Sequence, residues 1–148
     1  DDLVTGVQTC ALPISGDNVV VAKSLFGSTY YLFHGVIASM GIDVRFVDST
    51  DVSGYAAALD ARTRFVFLEA IGNPKLDVPD IRAIADVAHA HGIPLVVDTT
   101  FVTPYLAQSR SLGIDIVTVA TTKYLCGGGL AIGGAIVDTG LFHWPNCI

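Results

Sequence analysis

The chain has 148 residues, of which 51% are apolar and 15% charged, and its formal net charge is −6. This length suffices for one domain with a sizeable core, and eight scattered Lys and Arg residues in an acidic chain argue against a nucleic-acid partner, which would need a basic patch. No uninterrupted run of about 18 apolar residues is present, so a membrane partner is not expected.

The first fifteen residues show no regular pattern. Residues 3–14 fit neither a helical nor a strand period, and they resemble translated sequencing-adapter read-through. We therefore expect residues 1–15 to be a foreign or disordered segment and residues 16–148 to be part of a folded domain.

From residue 16 onward, short apolar runs alternate with helical patterns. Strands are predicted at 19–22, 44–47, 65–68, 94–97, 114–119 and 132–137, and helices at 29–40, 52–59, from about 81 to a stop at Gly92, and at 104–112. Strands buried on both faces read as continuous Val, Ile and Leu runs, and strand–helix alternation gives right-handed βαβ units. The sequence therefore predicts an α/β fold with a mostly parallel sheet flanked by helices.

Polar side chains follow three of these strands. Asn73 follows the third strand, Asp98 ends the fourth, and Thr122 and Lys123 follow the fifth. Ligands of open α/β sheets bind beyond the carboxyl ends of the strands, so these side chains should meet at one edge. We expect Lys123 to be packed and reactive and Asp98 to need a cationic or hydrogen-bonding partner. A Schiff-base lysine with an Asp on a pyridinium nitrogen describes a pyridoxal 5'-phosphate (PLP) site.

Other reactive side chains have simpler interpretations. His89 and His91 lie two positions apart on a predicted helix and face different directions, so no metal site is expected. Cys126 is expected to be a small buried apolar residue. The three cysteines lack disulfide-framework spacing, which indicates a reducing compartment such as the cytoplasm.

Several runs of the sequence resemble the Cys/Met-metabolism PLP-dependent enzymes, a family of fold-type I PLP-dependent transferases. The matching runs, in the family's order, are residues 26–33, 67–74, 97–106, 113–117 and 121–124. Residues 129–138 followed by Phe142, His143 and Trp144 are most similar to the O-acetylhomoserine sulfhydrylase branch. The resemblance covers about residues 16–144 and implies that they form part of the large PLP-binding domain.

The resemblance also implies a role for each candidate residue. Lys123 would be the Schiff-base lysine and would later shuttle substrate protons, and Asp98 would pair with the pyridine nitrogen. Asn73 would hydrogen-bond the phenolic oxygen of the ring, and Thr122 would reach the phosphate. Phe26 occupies the place of a tyrosine that stacks on the ring in most members.

The sequence departs from the family pattern at several positions. Phe26 lacks the tyrosine hydroxyl, Ala120 replaces a phosphate-binding Ser, and Gly128 replaces a common His. Ser28 stands where methionine γ-lyases carry a Cys, which argues against that branch. These departures affect the expected substrate choice and cofactor affinity more than family membership.

The implied activity is PLP-dependent γ-replacement on an activated homoserine, in which O-acetylhomoserine and sulfide or a thiol give homocysteine or methionine. Cystathionine γ-synthase or γ-lyase activity is the alternative within the family, and the intact enzyme would be a homo-oligomer, a dimer or tetramer. The chain lacks the family's N-terminal arm, a glycine loop and the C-terminal domain with its substrate-carboxylate arginine, so we expect an inactive fragment. A receiver-like signalling domain is the alternative from another class, although Ala22, Lys23 and Ser24 stand where it would carry an acidic pair.

Overall fold

The computed structural model of the protein describes residues 13–144. The predicted foreign segment therefore lies almost wholly outside the described residues, and its assignment stays a prediction. Within the described range no helix is long and apolar enough to cross a membrane.

A six-stranded sheet forms the centre of the fold. The strands are β1 (Asn18–Ala22), β2 (Asp43–Val47), β3 (Thr63–Glu69), β4 (Leu95–Asp98), β5 (Ile116–Val119) and β6 (Ala135–Asp138), in the order β2-β1-β3-β4-β5-β6. The first five are parallel, and β6 pairs antiparallel with β5. The mostly parallel α/β sheet predicted from the sequence is thus confirmed.

The central strands are apolar because both of their faces are covered. The three consecutive valines of β1, residues 19–21, are fully buried, as are Leu95 and Val97 of β4. Such strands cannot show the alternation of a half-exposed strand, which is why they read as continuous apolar runs.

The helices are α1 (Gly27–Tyr31), which continues into a π-helical segment (Leu32–Ile37), α2 (Val52–Ala58), α3 (Ile81–Ala90) and α4 (Thr103–Leu106). The Asp80 side chain caps α3 by accepting the N–H of Ala83 at 3.0 Å. Ile84 and Ala88 lie on its buried face, and Gly92 takes the positive φ of +69° that follows the helix end. The sequence predicted this amphipathic helix correctly.

Two predicted helices differ from the structure. The helix expected at 29–40 starts at Gly27 and widens into the π-helical segment, which buries Phe33 against Phe67 with ring centroids 5.0 Å apart. The helix expected at 104–112 is wrong beyond residue 106, because Ala107 is extended and no residue of α4 is buried. Without an apolar face to bury, tertiary packing does not extend that helix.

The predicted sixth strand is also shifted. It runs over 135–138 instead of 132–137, because the glycine-rich residues 127–134 form an irregular turn between β5 and β6. This turn lies directly after Lys123 and therefore borders the edge of the sheet where the candidate site residues were expected.

A buried carboxylate links α3 to the amino end of the sheet through hydrogen bonds. The Asp115 side chain is fully buried, and Oδ2 accepts the backbone N–H of Leu95 and contacts His89 Nε2, each at 2.7 Å. Burial raises the pKa of Asp115, and the hydrogen bonds from Leu95 and His89 oppose that rise. His89 thus serves this contact, and no group of metal-binding side chains is found among residues 13–144.

Replacing this carboxylate should destabilise the fold. In Asp115→Ala the N–H of Leu95 loses its buried acceptor and His89 its partner, so we expect a loss of about 3 kcal/mol in the free energy of unfolding, measured by urea denaturation. Asp86→Ala, which removes an exposed partner of Arg82 on the same helix, should change it by less than about 1 kcal/mol. Equal effects of the two substitutions would contradict the importance of the buried contact.

Candidate active site

One cavity of about 660 Å³ lies at the carboxyl ends of β1, β3, β4 and β5. All five residues that the sequence singled out line it: Phe26, Asn73, Asp98, Thr122 and Lys123. They are contributed by loops or ends of four different strands, so the parallel topology alone brings them together. The volume lies in the range of small-molecule and cofactor sites.

Asp98 ends β4 with its carboxylate only partly paired. Its Oδ1 accepts the N–H of Thr100 at 2.8 Å, and its Oδ2 accepts the hydroxyl of Thr118 at 3.3 Å. A carboxylate offers about four lone-pair sites, so acceptor capacity remains on the side that lines the cavity. The group is therefore oriented by two neighbours and still able to bind a further donor.

Lys123 lies in the turn after β5 and lines the same cavity, but it is exposed. Its backbone N–H binds the carbonyl of Ala120 at 3.2 Å. The expectation of a lysine packed among glycine, threonine and aliphatic side chains was wrong, because the turn that carries it lies on the surface of the described residues.

The Thr122 hydroxyl already has partners in the glycine-rich turn. It donates to the carbonyl of Gly133 at 3.1 Å and accepts the N–H of Gly133 at 2.9 Å. Ala120 offers no hydroxyl, and its N–H is donated to Thr100 Oγ1 at 2.8 Å. Contact between Thr122 and a phosphate would therefore need a change in these bonds, and that role stays a prediction.

Phe26 and Asn73 approach the cavity from the loops after β1 and β3. The Phe26 side chain is 53% exposed and precedes the first turn of α1. An aromatic ring that is about half exposed at the wall of a cavity can contact a ligand, whereas a phenylalanine buried in the core cannot. Phe26 is therefore not part of the hydrophobic core.

Glu69 is the cavity residue that the sequence argument missed. It ends β3, is only 8% exposed, and lies beside Asp98 in the register of β3 and β4. Its Oε1 accepts the backbone N–H of Phe26 at 2.8 Å. The reasoning applied to Asp98, an acidic residue closing a buried strand, would have found it.

Cys126 differs from its prediction as well. It is an exposed free thiol, whereas the sequence suggested a small buried apolar residue. Hydrogen bonds from the backbone of the glycine-rich turn, that of Gly128 first, lower the pKa of Cys126.

The donors, acceptors and apolar surface of the cavity fit the pyridine ring and the aldehyde of PLP. Asp98 offers free acceptor capacity for a ring nitrogen that carries a proton, Lys123 offers a primary amine, and the Phe26 ring offers a flat apolar face. A lysine and a carboxylate at the carboxyl edge of a mostly parallel sheet, with an aromatic ring beside them, are the arrangement expected of a PLP-dependent enzyme.

The chain belongs to one family within that class. Residues 5–147 match the family described as Cys/Met metabolism PLP-dependent enzyme, and the chain is a member of it. The chain is 44% identical over 132 residues to O-acetyl-L-homoserine sulfhydrylase of Leptospira meyeri, covering 89% of this chain and 30% of that protein. It thus spans about 30% of the length of the curated relatives that it matches.

Solved structures give the same assignment. An O-acetylhomoserine sulfhydrylase of Wolinella succinogenes is 46% identical with a TM-score of 0.85, covering 97% of this chain and 40% of that one. A Campylobacter jejuni protein described as an O-acetylhomoserine (thiol)-lyase is 32% identical with a TM-score of 0.83, covering 90% and 34%, and carries a pyridoxyl-lysine monophosphate. The family resemblance inferred from the sequence is confirmed.

The receiver-like alternative is excluded by this membership. The strand order alone would not have excluded it, because receiver domains share the order 2-1-3-4-5. The antiparallel sixth strand is an addition to that order.

Proposed function

We propose that the cavity holds PLP and that the enzyme containing this chain catalyses γ-replacement on O-acetylhomoserine, with sulfide or a thiol as the incoming group. The observation that carries the proposal is the convergence of Lys123, Asp98 and Asn73 on one cavity at the carboxyl edge of the sheet. Residues 16–148 would then form part of the large PLP-binding domain.

Each residue has a proposed task. Lys123 would hold the cofactor covalently through Nζ and would move a proton to or from the substrate carbons. Asp98 would keep a proton on the ring nitrogen, Asn73 would bind the phenolic oxygen, and Thr122 would contact the phosphate. The Phe26 ring would cover one face. When bound, PLP supplies an electron-withdrawing ring that stabilises negative charge developing next to the amino group of the substrate.

The relatives support the choice of substrate. The curated relatives include an O-acetyl-L-homoserine sulfhydrylase and a homocysteine synthase, at 44% and 47% identity. In the proposed reaction the bond between the γ-carbon and the acetate oxygen breaks and a bond to sulfur forms. The products are acetate and homocysteine with sulfide, or acetate and methionine with methanethiol.

We further propose a cytoplasmic homo-oligomer, a dimer or tetramer. Large apolar side chains are exposed beside the cavity, with Tyr105 at 89% and Leu106 at 72% exposed. These residues and Tyr124 and Leu125 form a continuous depression. Apolar surface of this kind is typical of a protein interface, and a second subunit there would adjoin the active site.

Turnover tests the proposal in two steps. No arginine lines the cavity among the described residues, so no guanidinium in that range is placed to bind the substrate carboxylate, and we expect the 148-residue chain to bind PLP without forming homocysteine. A longer protein that contains this sequence should form homocysteine from O-acetylhomoserine and sulfide. Release of 2-oxobutanoate from cystathionine with no homocysteine formation would favour a γ-lyase instead.

A further inference from the structure

Glu69 is the only glutamate of the sequence, and the proposed function gives it no task. It is buried at the end of β3 and lines the cavity. A buried carboxyl is costly unless it is hydrogen-bonded, so its partners indicate what it does.

Its side chain binds the backbone of the loop that carries Phe26, and the loop that carries Asn73 starts directly after Glu69 at the end of β3. Glu69 Oε1 accepts the N–H of Phe26 at 2.8 Å across 43 residues of sequence. Burial raises the pKa of Glu69 to about 7, and the negative charge of Asp98 contributes to this rise. The backbone N–H groups of Phe26 and, to a smaller extent, Asn73 lower the pKa and oppose the rise. Glu69, at the end of the strand that leads to Asn73, therefore holds the loop after β1 through its side chain.

We propose that Glu69 is the positioning residue of this site: its carboxylate fixes the two loops relative to each other, so that Phe26 and Asn73 meet the same cofactor ring. The inference rests on the proposed PLP function of the cavity. Glu69 itself makes no bond to the cofactor in this scheme and acts through the two loops.

The charges around Glu69 set the expected pH dependence. Asp98 on β4 is its charged neighbour, Lys123 lines the cavity from the turn after β5, and Lys23 in the loop after β1 is exposed. The N–H of Phe26 is held more strongly by a carboxylate than by a neutral carboxyl. The positioning effect should therefore grow as the pH rises through about 7, where Glu69 loses its proton.

The test measures PLP affinity of the 148-residue chain by titration of its visible absorbance, for wild type, Glu69→Gln and Glu69→Ala. Glutamine keeps the shape and an acceptor oxygen but cannot ionise. We expect the Kd ratio of Glu69→Gln to wild type to be within about twofold at pH 6 and to reach about fivefold at pH 8. Taking the ratio cancels the ionisation of free PLP, which is the same for both proteins. Glu69→Ala should weaken binding at both pH values.

A double substitution separates positioning from a general loss of stability. If Glu69 acts through the Phe26 loop, Glu69→Gln should weaken PLP binding less in a Phe26→Ala background than in the wild type. Asp48→Asn serves as control, because Asp48 is an exposed carboxylate outside the cavity that pairs with Lys75, and it should leave the Kd unchanged.

The outcomes separate the two proposals. A wild-type chain that shows no PLP band overturns the proposed function and the role of Glu69 with it. If the wild-type chain shows the band, two results overturn the role of Glu69 and leave the proposed function standing. The first is a Kd ratio for Glu69→Gln that does not change between pH 6 and pH 8, and the second is full additivity of the two substitutions.

Discussion

Lys123→Ala is expected to abolish covalent attachment of PLP to this protein. Lys123 is the only lysine among the residues that line the cavity in the described range. Without its amine, no described side chain that lines the cavity can form the bond that borohydride reduces to a stable secondary amine. The visible band and the reduced pyridoxyl-peptide, detected by mass spectrometry of residues around 123, should both disappear.

The matched control is Lys75→Ala. Lys75 is a surface lysine whose ammonium lies 3.2 Å from Asp77 and 3.7 Å from Asp48, and it does not line the cavity. This variant should keep the band and the labelled peptide of the wild type. Attachment that persists at full stoichiometry in Lys123→Ala, or that disappears in Lys75→Ala, would contradict the assignment.

The exposure of Lys123 bears on how this lysine is activated. A lysine is normally protonated at neutral pH, and burial or a cationic neighbour is what makes its neutral amine available. The described residues do not bury Lys123. Surface that covers the cavity in the intact enzyme, such as a second subunit on the exposed apolar residues, would supply that burial. Activation of the lysine and assembly of the enzyme would then depend on each other.

The sequence predicted the sheet and the convergence of the site because both depend on local patterns. A buried parallel strand shows itself as an apolar run, and the residue that closes it, such as Asp98, must lie at the carboxyl edge. The positions of Asn73 and Lys123 follow from the same geometry. No distant contact needs to be known for these statements.

What the sequence could not predict depends on contacts between distant residues. The Thr122 hydroxyl binds Gly133 because the glycine-rich turn folds back eleven positions later, and a run of glycines has no periodicity that indicates such a path. The exposure of Cys126 follows from the same turn. Glu69 binds Phe26 across 43 residues, and only the adjacency of β1 and β3 reveals the pair.

Asp98→Asn is expected to weaken PLP binding about 10- to 150-fold, because a charge-assisted hydrogen bond to a protonated ring nitrogen contributes about 1.5–3 kcal/mol. Asparagine keeps an oxygen that can accept the N–H of Thr100, so the end of β4 should keep its conformation. The Kd is measured by absorbance titration, and urea denaturation should show an unfolding free energy within about 1 kcal/mol of wild type.

The charge of Asp98 can be separated from the overall charge of the protein. Asp43→Asn removes an equal charge at the opposite, amino edge of the sheet, where the exposed Asp43 begins β2 and pairs with Arg45. It should leave the Kd within about twofold of wild type, because exposed charges beyond about 10 Å are screened. If both variants weakened binding equally, Asp98 would act only through net charge. If neither did, the ring nitrogen would have to be bound elsewhere, and Glu69, its neighbour on β3, would be the next carboxylate to replace.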